Sequence, residues 1–261
     1  MPLKANGFQA WIKVDDHEAQ HFQPEKIDDP SGQTCWIVSE LNKGFSVHWR
    51  NTDVFCQTAG RLWVDGVECS GEILMGPNLE TSVSGRRTSG STITPVIFSS
   101  LELTDDDAFL DSAAPKDIGL IRLEIWTINR TGSVPFSNIA PREASKIHER
   151  SKKLGAHQTK FGDQVVEPIT RYAAVFDYLE ALPMVTFTFK YRPLELLKAN
   201  GITPSSVLGK NNAEGGPSRS VKQETKGAKR GVSQPASFSS GEIIDLTRSE
   251  SPVTPEIIDL T

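Results

Sequence analysis

A hexapeptide near the end of the chain is present twice. The sequence Glu-Ile-Ile-Asp-Leu-Thr occupies residues 242–247 and again residues 256–261. Exposed aliphatic segments of this kind promote aggregation unless a partner covers them. Extended peptides with alternating apolar anchors bind by adding a strand to an exposed sheet edge, where backbone hydrogen bonds give affinity and side-chain pockets give selectivity. The repeat therefore predicts a protein partner that is bound by strand addition.

Both copies resemble SUMO-interacting motifs, in which an aliphatic, aliphatic, acidic, leucine segment lies beside a strand of SUMO. Carried over residue by residue, the resemblance implies that the apolar groove of SUMO accepts Ile243, Ile244, Leu246, Ile257, Ile258 and Leu260. It also implies that Asp245 and Asp259 face the basic rim of SUMO. The alternative is that each hexapeptide is a final strand docked onto the chain's own folded domain.

The spacing of the two copies predicts that they act together. Residues 248–256 separate the two apolar segments, and a flexible linker of that length spans about 15–18 Å on average and at most about 32 Å. Neighbouring units of a SUMO chain, or two SUMO groups on one partner, fall within such a span. Tethering of this kind can raise the apparent affinity roughly a hundredfold.

A possible acceptor for SUMO itself precedes the repeat. Residues 221–224 read Val-Lys-Gln-Glu, which resembles the aliphatic-Lys-x-Glu consensus for SUMO conjugation and makes Lys222 the candidate acceptor. The plain alternative for Lys222 is a solvated lysine in a linker.

Two proline-directed phosphorylation candidates lie between the hexapeptides. Ser251 precedes Pro252 and Thr254 precedes Pro255. A phosphate adds a charge of about −1.5 to −2 beside the acidic residues of the motifs. Phosphorylation is therefore expected to strengthen binding to a basic rim.

Composition divides the chain into a folded domain and a tail. The net charge of −5 and the 37% of hydrophobic residues are those of an ordinary globular protein, which excludes collagen-like and membrane classes. We expect a domain over 1–204 and a disordered tail over 205–261, because the tail has one aromatic residue and cannot offset its ordering entropy by burial. Within the tail, 205–231 is basic and the remainder is acidic.

The elements that carry the domain read as a series of strands. β-branched and aromatic runs recur between turn residues, and several alternate apolar and polar side chains as a sheet with one wet face requires. The runs lie at 8–14, 34–39, 45–49, 61–67, 92–103, 119–129 and 184–191, with a short helix over 193–200. Hairpin turns are expected at 41–44 and at 64–67. The predicted fold class is mainly β, an antiparallel β-sandwich with one or two short helices.

The domain also resembles an uncharacterised fungal family of unknown function, over about residues 5–204. The resemblance begins with Gly-Phe-Gln-Ala-Trp-Ile at 7–12 and continues at 35–37, 44–45, 119–121, 148–153, 187–192 and 201–202. It implies a fungal origin and a domain boundary, and it brings no catalytic activity.

The sequence favours a non-enzymatic adaptor over an enzyme. It contains none of the phosphate-loop, nucleophile-elbow, zinc-protease or dinucleotide motifs, and we expect no catalytic residues, no metal and no cofactor. Three cysteines without paired spacing and no visible secretory signal or apolar span point to the nucleus or cytoplasm, without a membrane. Nucleic acid contact is expected only weakly, through the basic block. The rival function is a carbohydrate- or lipid-binding sandwich, or a hydrolase, whose tail is incidental.

Overall fold

The computed structural model describes residues 1–27, 31–105, 117–137, 147–148 and 157–203. This part of the chain is built almost entirely of strands, with one short helix. The strands are β1 (Leu3–Ala5), β2 (Phe8–Val14), β3 (His17–Glu18), β4 (Phe22–Ile27), β5 (Gly32–Val38), β6 (Phe45–Asn51), β7 (Thr58–Val64), β8 (Val67–Leu74), β9 (Glu80–Val83), β10 (Gly85–Arg87), β11 (Thr92–Ser100), β12 (Leu103–Thr104), β13 (Leu120–Pro135), β14 (Ile147–His148), β15 (His157–Phe161), β16 (Val165–Val166), β17 (Tyr172–Tyr178) and β18 (Val185–Arg192). The helix, α1, is Leu194–Ala199.

Two sheets form the sandwich. The first has the order β1-β2-β6-β9, with β3 beside β2, and all its pairs are antiparallel. The second has the order β4-β5-β18-β13-β7-β8, with β17 on the far half of β13. It is antiparallel except for the parallel pair of β5 and β18. Sequence patterning therefore predicts the fold class correctly.

Smaller pairings complete the domain. β11 pairs with β10, β15 and β16, and β12 pairs in parallel with β14. The described residues contain no helix that is long and apolar enough to cross a membrane.

The core lies between the two sheets. Alternation along β2 and β6 turns Phe8, Ile12 and Trp49 inward, and alternation along β18 turns Phe187 and Phe189 toward them from the second sheet. Each of these side chains is at most 1% exposed. Complete removal of such large apolar side chains from water contributes roughly 1.5–3 kcal/mol for each.

One of the two predicted hairpins is correct. Val64 pairs with Val67 across the β7–β8 turn, where Asp65 and Gly66 have φ angles of 50° and 76°. Two successive left-handed residues match the twist of the flanking strands, which is why Asp-Gly is favoured in such turns.

The other predicted hairpin, at 41–44, is wrong. β5 belongs to the second sheet and β6 to the first, so the segment between them crosses from one layer of the sandwich to the other. Asn42 donates its backbone N–H to Phe98 O, and Phe98 donates to Lys43 O, so the crossing lies against β11. Turn residues at this point indicate that the chain changes direction, but they do not determine whether the two flanking strands pair with each other.

β13 is longer than its sequence pattern predicts. Its first half pairs with β18 on one side and β7 on the other, and its second half continues to Pro135 beside β17. The sequence pattern predicts a strand over 119–129, which ends at Asn129. Pairing with β17 holds the second half of β13 in a two-stranded ribbon, residues 128–135 and 172–178, with a bulge between Arg130 and Gly132.

Candidate functional site

A cleft of about 430 Å³ lies between the ribbon and strands β7 and β8. One wall carries Arg61, Glu68 and Glu72, and the other carries Arg130, Phe176 and Tyr178. Alternation along β17 points Tyr172, Ala174, Phe176 and Tyr178 toward this space. Small residues line much of the rest, namely Ala59, Gly60, Gly71, Ala173 and Ala174. The cleft is therefore a slot with aromatic and cationic edges.

Aromatic rings form a packed cluster on the ribbon side. The ring centroids of Trp126 and Tyr178 are 4.9 Å apart and those of Phe176 and Tyr178 are 5.3 Å apart, both in edge-to-face arrangements. Tyr178 is still 44% exposed, and Tyr172 is 64% exposed. Edge-to-face packing fixes the rings while their outer surfaces remain available for contact.

Arginine guanidinium groups lie close to these rings. The Arg61 guanidinium is 5.3 Å from the Trp63 ring and 6.0 Å from the Tyr178 ring. Arg130 is the cross-strand partner of Phe176, so these two side chains are neighbours on the ribbon face. Both walls of the cleft therefore place a guanidinium group close to an aromatic ring.

An ion-pair network connects residues of the cleft lining. The Arg87 side chain is only 6% exposed and its Nη2 is 2.7 Å from Glu167 Oε2. Arg171 continues the network with Nε 3.7 Å from Glu167 and Nη1 2.8 Å from Glu72. Burial raises the pKa of the Glu72 carboxyl, while the Arg171 guanidinium opposes that shift. The network joins the two walls of the cleft, because Glu72 lies on β8 and Arg171 precedes β17.

Two further arginines, Arg61 and Arg130, line the cleft. Arg61 holds Glu68 through Nε at 2.8 Å and Nη2 at 2.7 Å, which leaves Nη1 outside this pair. Arg130 is exposed, and its guanidinium has no hydrogen-bond or ion-pair partner among the residues that the structure describes. The cleft therefore offers positive charge toward solvent.

Asp65, in the turn between β7 and β8, has a structural role. The Asp65 carboxylate accepts hydrogen bonds from the Tyr191 hydroxyl at 2.6 Å, from Thr159 N and Oγ1 at 2.8 Å, and from Gly119 N at 2.8 Å. Withdrawal from water raises the pKa of Asp65, and these hydrogen bonds oppose the shift. The carboxylate ties the turn to β15 and β18.

His21, His157, Cys35 and Cys69 are partly or fully buried and have packing roles. His21 lies against Phe189 with ring centroids 5.4 Å apart, and burial lowers its pKa to about 4. Ser39 Oγ and His157 Nδ1 are 2.8 Å apart, but Ser39 is only 3% exposed. Burial raises the pKa of the Cys35 and Cys69 thiols to about 12. Within the described residues, no group of three or more histidine, cysteine or acidic side chains is placed to hold a metal ion.

All site residues predicted from the sequence lie outside the described residues. These are the two hexapeptides, Lys222, Ser251 and Thr254. The cleft was not predicted. Its arginines and aromatics come from segments that are far apart in the sequence, and the alternation of Tyr, Phe and Tyr over 172–178 was the one local signal.

The fold and the cleft define a mainly β protein that presents a slot of arginines and aromatic rings on one side of a sandwich. A family model described as a domain of unknown function, DUF7918, matches residues 7–206, and the chain belongs to that family. No curated protein and no solved structure matches the chain.

Proposed function

We propose that this protein is a non-enzymatic adaptor that binds SUMO or SUMO-modified proteins through its two hexapeptides. The observation that carries the proposal is the repetition of all six residues, 242–247 and 256–261, in an acidic segment. Each copy combines two isoleucines and a leucine with an aspartate, which suits an apolar groove with a basic rim. Strand addition supplies affinity through the backbone, so a short peptide suffices.

In this proposal the hexapeptides bring bound SUMO close to the folded domain of the same chain. In this proposal the domain supplies a second specificity, and the protein acts in the nucleus or cytoplasm. The proposed fungal origin comes from the sequence resemblance and is independent of the binding claim.

A pull-down with immobilised SUMO tests this function on the full chain. The variant that replaces Ile243, Ile244, Ile257 and Ile258 with Ala should lose capture, because the apolar anchors are gone. A matched control replaces Val207 and Val232 with Ala, which removes aliphatic side chains from the same tail but outside the motifs. Undiminished capture of the isoleucine variant, or equal loss in the valine control, contradicts the proposal.

Lys222 is the proposed site at which SUMO is attached to the protein itself. SUMO bound at the hexapeptides holds a SUMO-loaded enzyme near this lysine. In a reconstituted conjugation reaction, Lys222→Arg should remove the main conjugate, whereas Lys226→Arg, four residues away, should not. Mass spectrometry that finds conjugates on other lysines and none on Lys222 contradicts this assignment.

The cleft supports a second candidate, a ligand-binding role for the folded domain. Its volume of about 430 Å³ lies in the usual range of small-molecule sites, roughly 300–1,000 Å³. The carboxylates of Glu68 and Glu72 each hold an arginine, an arrangement that favours binding over acid–base chemistry. Screening neutral sugars, lipids and anionic small molecules against the full chain by thermal shift tests this role; no stabilisation by any of them contradicts it.

A further inference from the structure

We propose that the cleft between the ribbon and strands β7 and β8 binds a nucleotide, with its base against the ring of Phe176 and its phosphate at Arg130. This site is separate from the proposed SUMO-binding segment. It assigns a ligand class to the folded domain, for which the family description gives none.

The charge of the lining is the first observation behind this assignment. Arg61, Arg87 and Arg171 are each paired with a glutamate, and Arg130 is left with an exposed guanidinium that no described residue neutralises. Guanidinium groups bind phosphate oxygens through two parallel N–H donors. The Nη1 group of Arg61, outside the pair with Glu68, adds a second donor on the facing wall.

The aromatic wall is the second observation. Phe176 is the cross-strand neighbour of Arg130, so a planar group lying on the Phe176 ring brings an attached anion within reach of the guanidinium. Tyr178 packs edge-to-face against Phe176 and holds that ring in place. Aromatic faces stack with every base, and the stacking is worth enough to change affinity roughly tenfold for each contact.

The shape of the slot is the third observation. Ala59 and Ala174 are small residues in the lining, so their side chains take up little of the space between the walls. A flat ring needs such a gap, whereas an acyl chain would be expected to select an apolar lining without four arginines.

Charge favours a single nucleotide over a nucleic acid strand. The whole chain carries a net charge of −5, so a long polyanion is repelled by most of the surface. A mononucleotide meets only the local field of the cleft, where the arginines outnumber the lining glutamates.

Titration calorimetry with the full chain tests the site. The probes are adenosine monophosphate, adenosine, inorganic phosphate, glucose and a ten-residue thymidine oligonucleotide. Adenosine monophosphate should bind at least about tenfold more tightly than adenosine or phosphate alone, because it makes both contacts. Raising the ionic strength should weaken its binding.

Two variants and two matched controls locate the site. Arg130→Gln and Phe176→Leu should each weaken nucleotide binding roughly tenfold or more. The controls are Arg50→Gln, an exposed arginine on the first sheet, and Phe55→Leu, a ring that is 86% exposed and outside the cleft. Both controls should bind as the parent does. Arg130→Gln breaks no described contact, so it remains informative if Phe176→Leu lowers stability.

Several outcomes overturn the proposal. The proposal fails if adenosine monophosphate does not bind at a concentration of about 1 mM. If adenosine or glucose binds as tightly as adenosine monophosphate, the arginines do not recognise the phosphate, and the proposal is wrong. If the oligonucleotide binds more tightly than adenosine monophosphate, the surface is a site for a nucleic acid strand, which also contradicts the proposal. Loss of binding in the controls as well as in the variants places the ligand elsewhere. The isoleucine variant of the tail should keep nucleotide binding, which separates this result from the SUMO test.

Discussion

The sandwich core and the cleft use aromatic side chains in opposite ways. In the core, Phe187 and Trp49 are fully buried within the hydrophobic cluster. In the cleft, Tyr172 is 64% exposed and Tyr178 is 44% exposed, and arginines lie beside the rings. The comparison teaches that burial separates rings that stabilise the fold from rings that are free to contact a ligand.

The core and the cleft also differ in the charged side chains that they contain. The apolar cluster between the two sheets consists of hydrophobic side chains, whereas the cleft contains four arginines and two glutamates in its lining. Ion pairs that remain near water contribute little to stability, about 0–1 kcal/mol each. Arg130 is exposed and makes no ion pair with a described residue, so it is available for recognition, whereas the buried Arg87 supports the fold through its pair with Glu167.

The largest loss of stability is expected from a substitution in the core. Phe187→Ala should lower the free energy of unfolding by about 3–5 kcal/mol, because it removes a fully buried ring and leaves a cavity. Urea denaturation measures the change. The control Phe55→Ala deletes a ring that is 86% exposed and should change stability by less than about 0.5 kcal/mol. Similar losses in the two variants would contradict the division between buried and exposed rings.

Acidification is expected to lower the free energy of unfolding by an intermediate amount, because His21 is partly buried in its neutral form. Its folded-state pKa of about 4 lies below the usual 6.5, so the unfolded chain binds a proton between these values while the folded chain does not. Stability contributed by neutral His21 is therefore present above pH 6.5 and is lost as the pH falls toward 4. Because the ring is partly exposed, the loss should reach about 2–3 kcal/mol at most.

Unfolding in urea at pH 7, 5.5 and 4.5 measures this dependence. His21→Gln should flatten the profile, whereas His17→Gln, at an exposed position of β3, should leave it unchanged. An unchanged profile in His21→Gln would show that other groups control the acid response.

The smallest effect on stability is expected on the ribbon. Tyr172→Ala should change the free energy of unfolding by less than about 1 kcal/mol, since most of the ring is already in water. A loss above 2 kcal/mol, measured by the same denaturation, would mean that the ring supports the fold and would weaken the contrast between cleft and core.

Local patterning predicts the strands well where one face of a strand is buried. β2 begins and ends at the predicted residues, because its alternation reflects a buried face and a wet face. The turn at Asp65 and Gly66 is also predicted from local sequence, because Asp-Gly favours two successive left-handed residues. Which sheet a strand joins is not a local property, so the crossing between β5 and β6 was mistaken for a hairpin.

The cleft could not be derived from sequence. Arg61, Arg130 and Arg171 become neighbours only because β13 continues past Asn129 and pairs with β17. That pairing joins residues that are 37 to 50 positions apart in the sequence, and no periodicity within either segment reveals it. The proposed SUMO-binding hexapeptides present the opposite case, because a peptide that binds by strand addition would carry its recognition in a few consecutive residues.

The central claim is that the two hexapeptides bind SUMO, and titration calorimetry of the full chain with SUMO tests it most directly. The account predicts two SUMO molecules for each chain. It predicts one for the variant that carries Ala at Ile257 and Ile258, and none when Ile243 and Ile244 are replaced as well. Binding of SUMO to the fully substituted variant with the parent affinity and stoichiometry would contradict the account.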